Sequence, residues 1–566
     1  MEADINQKMR VAIAAHKEGK FEEAEQLYNE ILEIQSTHPD ANHNLGVLKV
    51  SLGLITEALV LFKTAIENNP NPEQFWISYI NTLIKENKLE EAEINCRNAV
   101  KLKPNFTGAY NSLAIVLYKI KKLDEAEKIF KKVIKLKPDL IEAHNNLGKV
   151  LTELNRLKEA EIIIKKTIEL KPDNAEAYNN LGNLQKILVK LEEAEKSFKK
   201  AIELKPNFLN AHFNLGVIFL VTEKYQKAIN CFEKTIKIDP NYINAYNNLG
   251  YSYGTLKKYG EAIEKYSKLL KLEPKNLEAR VNIITILENF TPTKINSNPI
   301  IIANDNIKNI KVNFSLENGI NKFDLSNFFK DANKVIENNI KELNFNRSQI
   351  FRRNSINLNC DRHHKVFNKL DLIPEFCFSC FKIQIEPKNV FELFKLFFIF
   401  DKLKLPQNNT RKCMIEFRPG VSGFYKGFIY CSSTREADMI SKMISPIINK
   451  LVIGKIKIKR GCSEFSDKFP DYKEINKDNN VFMKYKDEWR QKEKSFDMLD
   501  NTIIKKSSIS LSGISVSDIL IMNNWLNYAK QINDLSYKDI SEEMIYSDYI
   551  TSELSGQLNI RKKEFY

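Results

Sequence analysis

Proline recurs through the first half of this chain at a constant spacing of 34 residues, and this period restricts the fold more than any other feature. The sequence around the prolines repeats as well, as in "AEAYNNLGNLQKILVKLEEAEKSFKKAIELKPNF" at 175–208. Self-similarity at a fixed period of about 20 to 50 residues is typical of arrays that stack one supersecondary unit many times. The prolines that define the period are Pro70, Pro104, Pro138, Pro172, Pro206, Pro240 and Pro274.

Each unit of the repeat predicts two short amphipathic helices. The first contains "AYNNLG", in which glycine lets two helices approach closely. The second begins near "LEEAE", where acidic residues in the first turn favour the helix dipole, and the proline ends it. The apolar spacing fits helices throughout, so we expect an all-α array.

The period and this motif resemble the tetratricopeptide repeat family over about residues 5–291. The resemblance implies a solenoid with a concave groove, made of an irregular first repeat containing Pro39 and seven regular repeats. The segment "LEARVNIITILENF" would then be a capping helix. Arrays of this kind offer an extended surface rather than a pocket, and so favour a protein or peptide partner.

A column of polar residues precedes the "LG" of each repeat. The array resembles that of O-linked N-acetylglucosamine transferases, in which equivalent asparagines line the concave face. A primary amide offers a donor and an acceptor, which suits the backbone of an extended peptide. The alternative is that these residues serve helix packing. The predicted partner-binding residues are Asn44, Ser78, Ser112, Asn146, Asn180, Asn214 and Asn248.

The second half of the 566-residue chain has a different pattern, which indicates further domains. We predict a linker and mixed α/β lead-in at 292–375, a cysteine-rich domain at 376–466 and a helical extension at 467–566. Between residues 381 and 465 the predicted order is β-α-β-β-α-β, the ferredoxin-like arrangement. The fold class is thus an α-helical solenoid followed by a ferredoxin-like α/β domain and a helical tail.

Two cysteines three residues apart, Cys377 and Cys380, precede the first predicted strand. The ferredoxin-like strand order would place five cysteines at one end of the sheet. Thiolates are preferred ligands of zinc and of iron–sulfur clusters, and the sequence does not choose between these cofactors. Buried inert thiols and a redox pair are the alternatives. The predicted ligands are Cys377, Cys380, Cys413, Cys431 and Cys462, with Cys360, His363 and His364 as secondary candidates.

Charge and hydropathy limit the partners and the compartment. The net charge is +14, of which residues 292–566 carry +11 (44 Lys and Arg against 33 Asp and Glu). The abundance of lysine throughout the chain explains this excess, so we expect a protein partner rather than nucleic acid. No apolar run reaches the length of a membrane span, the N-terminus resembles no secretion signal, and eight cysteines are too few for a disulfide scaffold. These features predict a cytoplasmic protein.

Two functions remain open at this stage. The first is an adaptor whose repeat groove binds a protein or peptide, joined to a basic, cysteine-rich domain. The second is an enzyme, iron–sulfur or thiol-dependent or less favourably a glycosyltransferase, that recruits protein substrates through the repeats. Motifs for nucleotide binding and for zinc proteases are absent from the sequence, and no residue can be assigned a catalytic role.

Overall fold

The computed structural model describes residues 2–292, 298–340, 345–353, 358, 360–418, 421–461, 465, 468–473, 483–500, 513–545 and 548–565. The chain divides into an N-terminal unit, Met1–Asn248, and a C-terminal unit, Leu249–Tyr566. This division lies inside the predicted array of 1–291. Within the C-terminal unit, α17 (Leu277–Leu287), expected to cap the array, packs on α18 (Pro299–Asn309) and α25 (Val516–Gln531).

The N-terminal unit consists of paired helices, as the period predicts. Each helix packs on its successor, and the first helix of a repeat also contacts the first helix of the next repeat. The helices are α1 Glu2–Lys17, α2 Phe21–Ile34, α3 Pro39–Ser51, α4 Ile55–Asn68, α5 Glu73–Lys85, α6 Leu89–Leu102, α7 Thr107–Lys119, α8 Leu123–Leu136, α9 Ile141–Glu153, α10 Leu157–Leu170, α11 Ala175–Ile187, α12 Leu191–Leu204, α13 Leu209–Val221 and α14 Tyr225–Ile238. Helix α15, Ile243–Thr255, crosses the division between the units.

The glycine of "NNLG" sets the distance between the two helices of a repeat. A Cβ on Gly182 would lie 2.6 Å from the Phe198 ring, and a Cβ on Gly216 would lie 2.6 Å from the Phe232 ring. The aromatic ring of the second helix therefore occupies the space that a side chain would take. This contact explains why the glycine and the aromatic residue recur together.

The turn between the two helices also recurs with the period. At this position the backbone is left-handed, with φ of +77° at Gly19 and +78° at Gly53. Later repeats keep the conformation with other residues, including Asn155 (φ 58°) and Val189 (φ 60°). A β-branched residue is unfavourable in this region, so Val189 is held there by the packing of the helices on either side.

The C-terminal unit contains a five-stranded sheet with helices around it. Its helices are α16 Tyr259–Leu272, α17, α18, α19 Lys322–Asn339, α20 Cys360–Leu370, α21 Val390–Lys402, α22 Thr434–Leu451, α23 Pro470–Lys473, α24 Asp487–Asp500, α25, α26 Asp548–Leu554 and α27 Leu558–Phe565. The strands are β1 Gln349–Arg352, β2 Phe381–Pro387, β3 Arg411–Ile415, β4 Tyr425–Cys431 and β5 Gly454–Arg460. The order across the sheet is β1-β3-β4-β2-β5, and all neighbours are antiparallel.

One face of this sheet is packed against α21 and α22. Residues of β4 at odd positions point to that side, since a Cβ on Gly427 would lie 2.4 Å from Leu396 of α21. Helix α25 is buried on all sides, since its apolar residues Ile519, Met522, Trp525 and Ala529 are buried and so are its asparagines. Among the described residues, none of the helices is long and apolar enough to span a bilayer.

Candidate functional site

The predicted polar column lies on the first helices of successive repeats, and the structure ties its members to their neighbours in different ways. Asn180 donates its Nδ2–H to the backbone oxygen of Asn145, at 3.4 Å. Asn214 donates its Nδ2–H to Oδ1 of Asn179, at 3.2 Å. Each of these amides thus binds the first helix of the preceding repeat, as the packing alternative predicts. In both cases the amide nitrogen donates, and the carbonyl oxygen accepts no hydrogen bond from the residues that the structure describes.

The other members of the column are less uniform. Asn146 is half-buried, and its amide makes no hydrogen bond to the part of the chain that the structure describes. Ser78 is bound by the His43 ring (Nε2 to Oγ, 2.9 Å), and Asn44 donates to the sulfur of Met9 at 3.8 Å. Ser112 is buried, and Asn248 is half-buried at the last position of the N-terminal unit.

A second column of asparagines lies one residue before several members of the first column. The sequence did not predict it as a functional feature. Asn111, Asn145 and Asn179 are between 4% and 9% exposed. Within the described part of the chain, the Oδ1 atoms of Asn111 and Asn145 have no hydrogen-bond partner, while Oδ1 of Asn179 accepts from Asn214. The signal was present in the sequence as the repeated Asn-Asn dipeptide, whose first member, Asn145 or Asn179, is buried in the structure.

The predicted cysteine cluster is only partly supported by the strand register. Cys413 pairs with Gly427, four residues before Cys431 on β4. At about 3.4 Å per residue, the two cysteines are separated by roughly 13 Å along the sheet. The prediction that Cys413 joins the other thiols at the end of the sheet is therefore wrong. Cys413 lies within β3 and faces the buried side with Ile415.

Cys380 and Cys431 lie near one end of the sheet but on opposite faces. Cys431 pairs with Phe381 on the side that faces the helices, whereas Cys380 packs with Phe428 and Tyr430 on the other side. Cys380 directly precedes Phe381, the partner of Cys431, and successive residues of a strand point to opposite faces. The two thiols therefore point to opposite sides of the sheet rather than toward one ion. Cys377 lies in a third environment, a cluster with Phe465, Tyr472 and Trp489.

The secondary candidates are on or beside α20. His363 is buried against the ring of Phe376 (centroids 5.3 Å apart), and burial together with Arg362 lowers its pKa to about 4. His364 contacts the ring of Phe465, and Cys360 begins the helix. Cys462 lies outside the described residues. Within those residues, no group of three or more His, Cys, Asp and Glu side chains is arranged to hold a metal ion. A zinc or iron–sulfur site that includes Cys462 stays a prediction.

Two of the thiols are poorly suited to nucleophilic chemistry. Burial raises the pKa of Cys431 to about 12, with Glu436 acting in the same direction, and burial raises the pKa of Cys413 further. The reactive form of a cysteine is the thiolate. With no metal ion bound, both thiols therefore stay protonated near neutral pH, and both are buried in the sheet.

Comparisons with known protein families find repeats in the region of the N-terminal helix pairs. Models of the family described as tetratricopeptide repeat match residues 15–78, 121–184, 175–208, 209–242 and 231–264. A comparison with curated proteins gave no match.

Solved structures similar to this chain include three repeat proteins. The APC/C hetero-tetramer Cut9–Hcn1 is 18% identical with a TM-score of 0.39, and the match covers 49% of this chain and 55% of that chain. A tetratricopeptide repeat protein from Parabacteroides merdae is 16% identical with a TM-score of 0.40, covering 44% and 98%. The MamA protein is 30% identical with a TM-score of 0.26, covering 30% and 92%. With its period, its paired helices and the family matches, the region between residues 15 and 264 is an array of tetratricopeptide repeats.

Proposed function

We propose that this protein is an adaptor whose repeat array binds an extended segment of a partner protein along the column of Asn146, Asn180 and Asn214. The observation that carries the proposal is the orientation of the amides. Asn180 and Asn214 donate to the preceding repeat, which fixes the side chains and leaves their carbonyl oxygens as acceptors. Asn146 is half-buried, and neither group of its amide bonds to a described residue.

The ligand chemistry follows from this arrangement. A row of acceptors fixed to a rigid scaffold suits the N–H groups of an extended backbone, which recur on each side of the chain every second residue. Contacts to the backbone make little demand on the partner's sequence. Side-chain selectivity would then come from other residues of the same surface.

We also propose that β2–β5, with α21 and α22, form a ferredoxin-like unit to which β1 adds a fifth strand. The support is the order β3-β4-β2-β5 with antiparallel neighbours and a helix in each crossover. In this proposal the basic C-terminal unit carries a second binding function, while the array selects the protein partner.

A display selection on the whole chain tests the adaptor function. Short unstructured peptides are selected for binding, and their affinities are measured by fluorescence anisotropy before and after N-methylation at alternate backbone positions. We expect binding that tolerates most side-chain substitutions but is lost when one set of backbone N–H groups is methylated. Peptides that depend on their side chains and ignore N-methylation would contradict a backbone-binding column.

A further inference from the structure

The C-terminal unit contains a polar cavity that the repeat array does not share. Its volume is about 420 Å³, which is within the usual range for sites that bind small molecules. It lies among the end of α17, helix α18, strand β1 and the first turns of α25. The walls therefore come from four segments that are distant in sequence.

Positive charge predominates in the lining of this cavity. Four basic side chains contribute to it (Lys308, Arg347, Arg352 and Arg353), against two acidic ones (Glu288 and Asp518), and Asp401, outside the lining, also pairs with Arg352. Apolar side chains, including Ile350 and Ile521, form part of the wall. The cavity thus combines a charged region with room for an uncharged group.

Both acidic groups are already bound to other partners. Glu288 accepts from Arg347 at 2.7 Å and from the Ser517 hydroxyl at 2.6 Å. Asp518 forms a capping box with Ser515 at the start of α25 and accepts a hydrogen bond from Arg352. Arg352 also pairs with Asp401 at 2.6 Å. Their carboxylates are therefore held by arginines and by the start of the helix.

Lys308 remains without an acidic partner among the described residues. Its Nζ has one hydrogen bond, to the Thr291 hydroxyl at 3.4 Å, and no ion pair. The side chain is half-buried, and this burial lowers its pKa although Asp305 and Asp518 raise it. A half-buried ammonium group beside paired arginines is stabilised when an anion enters.

We infer that this cavity binds a small organic phosphate, with the phosphate group at Lys308 and Arg347 and the organic part against Ile350 and Ile521. A phosphate monoester carries a charge of about −1.5 to −2 near neutral pH and three acceptor oxygens, so it can accept from an ammonium and a guanidinium group at the same time. Guanidinium and ammonium groups are the usual ligands of phosphate oxygens. The site is separate from the adaptor column, and either function can fail without the other.

Calorimetric titration of the full chain with phenyl phosphate, benzoate and inorganic phosphate tests this inference. Phenyl phosphate and benzoate share a ring and differ in the anion, so their ratio measures the preference for phosphate. We expect phenyl phosphate to bind at least about tenfold more tightly than either of the other two, because benzoate carries less negative charge and fewer acceptor oxygens, and inorganic phosphate lacks the ring. Equal binding of benzoate, or no saturable binding of phenyl phosphate, would overturn the inference.

Charge variants locate the site. Lys308→Met is expected to weaken phenyl phosphate binding by at least about tenfold, the usual effect of a lost charged hydrogen bond, while Lys308→Arg retains most of the affinity. Lys330→Met removes the same charge from an exposed position of α19 that does not line the cavity. We expect this variant to bind phenyl phosphate as tightly as the wild type. Equal losses for the two methionine variants would show nonspecific charge attraction. Circular dichroism and melting curves of each variant establish that the fold is retained.

Discussion

At the scale of single residues, Glu416 connects distant parts of the C-terminal unit. Its carboxylate accepts from Lys426 at 2.9 Å and from Arg418 at 2.9 Å. Its backbone oxygen accepts from the Tyr528 hydroxyl at 2.6 Å and from Arg561 at 3.0 Å. Glu416 and Lys426 are each 3% exposed, so this is a buried pair within a larger network.

This network predicts a specific dependence of stability on pH. Burial raises the pKa of Glu416, but Arg418 and Lys426 lower it more, to about 2 from an ordinary value of 4.5. The stabilisation by the ionised carboxylate is thus complete above pH 4.5 and is lost as the pH falls toward 2. Urea unfolding at a series of pH values measures it.

The variant Glu416→Gln provides the comparison. At neutral pH we expect it to lower the free energy of unfolding by about 3–5 kcal/mol, because Lys426 is left buried without its partner. The difference between the two proteins should decrease below pH 4.5, where the wild-type carboxylate begins to lose its folded-state advantage. A difference that stays constant down to pH 2 would show that Glu416 acts through packing alone.

Residues of this kind could not be predicted from the sequence. Glu416 follows a strand that the sequence indicates, but its partners Tyr528 and Arg561 are more than a hundred residues away. Lys308 and Arg347 are likewise ordinary basic residues until the fold brings their segments together. The position of Cys413 was wrong for a related reason, because strand order alone does not give the register between strands.

At the scale of elements, the contact between glycine and an aromatic ring determines how closely the two helices of a repeat approach. Gly182→Ala places a methyl group against the Phe198 ring, and we expect a loss of about 1–3 kcal/mol in the free energy of unfolding. Denaturant unfolding followed by circular dichroism measures it. The matched control is Gly254→Ala on α15, where a Cβ meets nothing within 4 Å. Equal effects of the two substitutions would mean that helix propensity, rather than the contact with the ring, determines the change in the free energy of unfolding.

The turns of the array offer a stabilising change. Val189 is 76% exposed and has φ of 60°, a conformation that asparagine adopts readily and valine does not. Val189→Asn is therefore expected to raise the free energy of unfolding by about 1 kcal/mol, and the reverse change Asn155→Val to lower it by a similar amount. Thermal melts of both variants measure the two changes in stability. A valine that is tolerated at both positions would show that the repeats adjust their turns without strain.

Local elements were the most predictable part of the fold. The strand at Phe381–Pro387 and helix α22 follow from the alternation and the helical spacing of their own residues. Strand β1 was not predicted, because it has only four residues and pairs with β3, more than 50 residues away. The burial of the asparagines of α25 could not be predicted from that helix alone, because Asn523 bonds to Asn333 and Asn524 to the backbone oxygen of Phe345.

At the scale of the whole molecule, the repeat array could be predicted because its information is repeated every 34 residues and each contact is with a near neighbour in sequence. The packing of α17 against α25 could not be predicted, since the two helices lie more than 200 residues apart in the sequence. The column of asparagines was predicted as a set, while its split into residues that bind the preceding repeat and one that does not required the structure.

The most direct test of the adaptor function is the affinity of a selected extended peptide for column variants, measured by fluorescence anisotropy. Replacing Asn146, Asn180 and Asn214 by alanine should weaken binding about a hundredfold, at about 1 kcal/mol for each lost contact. Asn146→Ala alone should weaken it about fivefold with an unchanged melting curve, because its amide makes no hydrogen bond within the described residues. Asn230→Ala, at an exposed position of α14, is the control. Unchanged affinity in the Asn146 and triple variants, with helicity intact, would contradict the account.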